Sequence, residues 1–62
     1  MAQFEVMYKV YDTSNGYREQ TGPGEYTIVV EAAHNGFAAQ MVQTINGGAD
    51  KCHIVYSKQV NG

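Results

Sequence analysis

Cys52 and His53 form the one adjacent pair in the chain whose side chains are of the nucleophile-and-base type. They lie in the alternating run KCHIVYSKQV, however, and neighbours on a strand point to opposite faces, so the two cannot share a proton or a metal. Cys52 is therefore expected to be a small core residue and His53 an outward, solvated one. His34 falls in the connection before a helical stretch. Glu5 and Glu31 are expected on the same outer sheet face, and paired carboxylates do acid-base work only in a concave, partly dry site. A chain of 62 residues with one helix has little room for such a site. Gly22-Pro23-Gly24 is glycine-rich, yet no Lys-Ser/Thr follows it and no helix starts at Gly24, so it does not read as a phosphate loop. No catalytic residue, metal ligand or cofactor is assigned, and no enzymatic activity is expected.

Bulk properties point the same way. The chain is one small domain, and a chain this short hides only roughly 60% of the surface its unfolded form exposes. Small domains gain stability from disulfides, metals or association. A single cysteine rules out an internal disulfide, which leaves a well-packed core, a homo-oligomer or attachment to a larger assembly. With 44% hydrophobic and 16% charged residues the sequence belongs to a folded protein. The net charge of −2, with Lys9, Arg18, Lys51 and Lys58 spread along the chain, argues against general nucleic-acid binding. The start MAQFEVMYKVYD lacks the basic and apolar regions of a leader peptide, and no run approaches the roughly 20 apolar residues of a membrane span. A cytosolic protein is expected, or one made in a host cytosol and carried in a virion.

Three strands and one helix are predicted in the order β-β-α-β. In AQFEVMYKVY, Ala2, Phe4, Val6, Tyr8 and Val10 alternate with outward Gln3, Glu5, Met7, Lys9 and Tyr11. EYTIVVEA puts Tyr26, Ile28, Val30 and Ala32 inward. The last run puts Cys52, Ile54 and Tyr56 inward, with Val60 continuing that set, and His53, Val55 and Ser57 outward. Between these, Phe37, Ala38, Met41, Val42 and Ile45 recur at helical spacing as a core-facing stripe, with Asn35 as N-cap and Gly47 as the left-handed residue past the end. The expected bounds are strands at about 2–12, 25–32 and 51–58, a helix at about 36–46, and a hairpin finger at 13–24. The fold class is α+β: a two-layer β-β-α-β domain whose three-stranded antiparallel sheet, order 2-1-3, carries the helix on one face. Order 1-2-3 with a parallel pair is the alternative.

The hairpin contains two turn signals, Asn15-Gly16 and Gly22-Pro23-Gly24. A type I′ turn at Asn15-Gly16 pairs Ser14 with Tyr17, so opposed residue numbers sum to 31. That sum sets even positions of the first strand against odd positions of the second. The inward residues of both strands are even, so the register must slip by an odd number of residues. Gly22-Pro23-Gly24 can supply the slip as a bulge. One signal turns the chain and the other corrects its register, which leaves Tyr17 to Gln20 as a tip free to contact a partner.

On the outer sheet face Met7, Val29 and Val55 are expected side by side, flanked by Tyr11 and His53, with nothing in the chain left to cover them. With the tip residues Tyr17 and Arg18 they form the candidate partner-binding set. The alternative is an ordinary mixed surface. The polar helix face, Gln40, Gln43, Thr44 and Asn46, carries no charge.

The Tyr-rich first strand FEVMYKVY and the strand-helix unit VVEAAHNGFAAQMVQTINGG resemble the short accessory and virion proteins of tailed phages. The likeness lies in the run of elements and carries no functional residue over. It implies a small protein that binds something larger, such as a capsid lattice or a host factor. Two functions compete: a structural decoration protein docked on an assembly, and a regulatory binder, homodimeric through its sheet edges, acting on a host enzyme or nucleic acid.

Overall fold

A computed structural model describes residues 1–61 and places β1 at Ala2–Asp12, β2 at Glu19–Ala32, α1 at Asn35–Ile45 and β3 at Cys52–Asn61. The sheet has order β2-β1-β3 with both pairs antiparallel, and α1 covers one face. The longest regular alternation, in β1, occupies the centre, as the pattern requires of the strand with two neighbours.

The hairpin register follows from parity. Near the turn, Asp12 opposes Glu19, Tyr11 opposes Gln20 and Val10 opposes Thr21. Past an irregularity the partners become Tyr8 with Tyr26, Val6 with Ile28, Phe4 with Val30 and Ala2 with Ala32. The number sum moves from 31 to 34, an odd shift, so both inward sets reach one face. Gly22 and Gly24, with φ of 74° and 108°, make that step in a conformation that side chains resist.

The turn itself differs from the expected type. Among the described residues no non-glycine has positive φ, which excludes type I′ at Asn15-Gly16. The Gly16 amide instead donates to the Thr13 carbonyl (3.1 Å), and the Ser14 amide donates to Asp12 Oδ1 (2.9 Å). Asn15 Nδ2 closes the loop on Glu19 Oε1 (2.9 Å). The free finger is also shorter than 13–24: β2 starts at Glu19, so Glu19 to Thr21 lie in the ladder and only 13–18 project past its end.

The core is Phe4, Val6, Ala32, Ala38, Val42 and Cys52, with Tyr8, Ile28, Val30 and Ile54 packed against it. Tyr8 stacks on Tyr26 at 5.5 Å. Three expectations are corrected. His34, not Asn35, is the N-cap: its Nδ1 accepts from the Phe37 amide while its ring stacks on Phe37 at 4.0 Å. At the other end Gly47 is left-handed as expected. The Gly48 amide reaches the Gln43 carbonyl (2.7 Å) and the Gly47 amide the Thr44 carbonyl (3.3 Å), the paired bonds of a Schellman ending.

The second correction concerns β3. Ile54 opposes Tyr8, but Tyr56 opposes Met7 and Ser57 opposes Val6. Val55 is thus an extra residue, and the slip turns Tyr56 outward and Ser57 inward, the reverse of strict alternation. The Ser57 hydroxyl ends buried, with no hydrogen-bond partner among the described residues. The same register sets Gln59 opposite Phe4, and a second slip before Asn61, which opposes Gln3, makes Val60 an extra residue that is 47% exposed. The third correction is the roll of the helix: Ala38 and Val42 are buried, but Phe37, Met41 and Ile45 are not. Small side chains at 38 and 42 let the helix approach the sheet there, chiefly over β3.

Candidate functional site

The outer sheet face is built by β1. Its central outward residue, Glu5, opposes Val29 on one side and Lys58 on the other. The Tyr56 hydroxyl donates to Glu5 Oε2 (2.6 Å), and Lys58 Nζ stands 3.7 Å from the same oxygen and 5.4 Å from the Tyr56 ring centre. Lys58 is mostly solvated, so its ion pair contributes little. The hydrogen bond is the stronger link. The bond to Glu5, then desolvation, then the charges of Glu5 and Glu25 push the Tyr56 phenol above its usual range.

The sign of the resulting pH effect follows. Folding favours protonated Tyr56, so the contribution is fully present below the unfolded phenol value of about 10 and is lost as pH rises through the higher folded value. The urea midpoint of the native chain is expected to fall above pH about 10 more steeply than that of Tyr56→Phe. Parallel curves for the two proteins would show that the Tyr56–Glu5 bond is not held in solution.

The expected trio does not assemble side by side. Met7 opposes Thr27 and Tyr56; Val29 opposes Glu5; Val55 is the bulge residue. Val29 and Val55 are exposed at 52% and 40%, but Glu5 and the Tyr56–Lys58 pair divide the apolar surface. His53 opposes Lys9 on this face. Tyr11 carries the Arg18 guanidinium 4.5 Å over its ring, and Tyr17 is exposed at the tip. Tyr17 and Arg18 line a recess of about 270 Å³ with Asp50 and Lys51, and of the other candidates only Tyr11 is seen to touch this group, through Arg18. Glu5 and Glu31 are diagonal neighbours, and Glu5 is already engaged by Tyr56.

Cys52 lies on the other side of its strand from His53, fully buried opposite Val10, and burial raises its thiol pKa. A protonated thiol without access is not a nucleophile. Among the described residues, no group of three or more His, Cys, Asp or Glu is placed to hold a metal, and no helix is long and apolar enough to cross a membrane.

The larger apolar surface lies on the helix. Phe37, Met41 and Ile45, one above another at intervals of four, are 50%, 44% and 68% exposed. With Met1, Ala32 and Ala33 they line an open groove of about 670 Å³ between α1 and the end of β2. α1 contains no charged residue on any face. Polar groups nearest the sheet are used internally: Gln43 Nε2 donates to the Cys52 carbonyl (3.3 Å) and Asn46 Nδ2 to the Val42 carbonyl (2.8 Å). Sequence periodicity assigned this stripe to the core because it marks which residues share a face and not how much of that face a three-stranded sheet can cover. The signal that pointed outward was the missing charge on the rest of the helix.

No protein-family model matches the chain, and comparison with curated proteins and with solved structures returns no match.

Proposed function

We propose that this chain is a non-enzymatic interaction protein that docks on a larger protein assembly through the helix stripe Phe37, Met41 and Ile45. The observation that carries the reading is that three large apolar side chains of an uncharged helix stand open to solvent beside a groove. Contact surfaces are distinguished by depletion of charge at their centre around large apolar anchors, and the stripe has that composition. Apolar exposure on a chain this small favours a lattice or a large subunit as the surface that covers it. A virion shell, the assembly implied by the likeness to phage decoration proteins, is one such lattice.

The test places one charge on each face. Met41→Asp is expected to weaken capture of the native assembly by about 2 kcal/mol, roughly thirtyfold, with the circular dichroism spectrum unchanged. Met7→Asp on the outer sheet face is expected to leave capture intact. The opposite pattern assigns docking to the outer face and overturns the proposal. So does absence of the chain, by mass spectrometry, from the particles of its source.

A further inference from the structure

We infer that two copies of this chain pair along β2, edge to edge and antiparallel, into a continuous six-stranded sheet with both helices on one face. The two outer strands of the sheet are treated differently. β3 is interrupted by two register slips and carries Lys58 in its paired length, the devices by which edges resist further pairing. β2 has its irregularity confined to the Gly22–Glu25 region. From Tyr26 to Ala32 it is regular, rich in β-branched residues, and free of bulge, proline and lysine. Among the described residues, no hydrogen bond from a turn, loop or side chain reaches the backbone of residues 26–32.

The register of such a pair is set by parity and charge. A two-fold axis normal to the sheet keeps inner residues with inner ones only if opposed numbers have an even sum. Centring on Val29 uses the whole regular stretch, with Tyr26 opposite Ala32 of the second copy. On the inner face Ile28 meets Val30 of the second copy, and these side chains are only half-buried because α1 lies chiefly over β3. On the outer face Val29 meets its own copy and Thr27 meets Glu31 of the second copy. No like charges oppose each other. A centre one residue earlier, at Ile28, would set Glu25 against Glu31 of the second copy twice, which is repulsive. The sequence of this edge therefore admits its own copy in the register that its regular length also selects.

The edge is distinct from the helix stripe, so its test separates from that of docking. Native mass spectrometry and sedimentation at micromolar concentration are expected to show twice the 6.8 kDa chain mass. Val29→Lys sets like charges directly opposite across the axis and is expected to raise the dimer Kd at least about tenfold. Val29 is exposed, so the fold survives the change. Thr27→Lys, also exposed, faces Glu31 of the second copy and is expected to tighten the dimer at low salt, with the gain lost at high salt. A monomer at all concentrations overturns the inference. A dimer that ignores Val29→Lys and breaks with Met41→Asp overturns it too, since association would then run through the helix. Weakening by Thr27→Lys refutes the register.

Discussion

Phe4→Ala is expected to leave most of the chain unfolded at room temperature. Phe4 is 4% exposed, sits on the central strand, and opposes Val30 and Gln59 on its two sides. It is the largest side chain of a buried set otherwise made of valine, alanine and cysteine. Truncating a buried phenylalanine costs about 3–5 kcal/mol, because the lost transfer energy is joined by that of the cavity left behind. A chain of this length has a total stability of about 3–9 kcal/mol. The loss is thus comparable to everything that holds the fold. Collapse of the near-ultraviolet tyrosine signal in Phe4→Ala, with wild-type signal regained by Phe4→Leu, is the expected outcome. A cooperative thermal transition for Phe4→Ala within a few degrees of wild type would mean that the core does not hinge on this residue.

The same core shows where the sequence was legible. Alternation in β1 is uninterrupted, and the parity of its inward set against that of β2 required an odd slip, which the glycines provide. The strand order and the helix position follow from β1 being the longest regular run and from the change of period at Phe37. The left-handed Gly47 was readable because few other residues accept its conformation.

What was not legible has a physical cause in each instance. The β3 slip at Val55 has no glycine or proline to mark it. It is supported by a partner 51 positions away in sequence, since it is what brings the Tyr56 hydroxyl onto Glu5. The early start of β2 was hidden because EQTGPGEY reads as loop, although Glu19 to Thr21 are held by a β1 that extends beyond Tyr8. The roll of α1 depends on side-chain volumes at Ala38 and Val42, not on periodicity. That roll moved the largest apolar surface from the predicted core to the outside, and with it the candidate site from the sheet to the helix.

Gly22 offers the second large effect, and a rescue that tests its cause. With φ of 74° it occupies a region that costs a β-branched residue about 1–3 kcal/mol. A side chain there would also meet the hydroxyl of Tyr26, whose ring is stacked on Tyr8. Overpacking adds about 1–3 kcal/mol. Gly22→Val is therefore expected to lower Tm by at least about 10 °C, taking about 4–8 °C per kcal/mol for a domain of this size. The bulge that requires this glycine is three residues longer than a regular ladder needs, since Gly22 to Glu25 together face only Lys9. Removing residues 22–24 as a unit would let Glu25 oppose Lys9 and Tyr26 oppose Tyr8 with no change of parity, and would add an opposite-charge pair across the strands. The deletion is expected to hold stability within about 1 kcal/mol of wild type, where a single valine at the same place does not. If the deletion unfolds the chain while Gly22→Val is harmless, the glycine segment is shaping the hairpin for some reason other than register. If both behave as expected, residues 22–24 are an odd-length insertion that the ladder absorbs as a bulge, and the shared face of the two apolar sets does not depend on them.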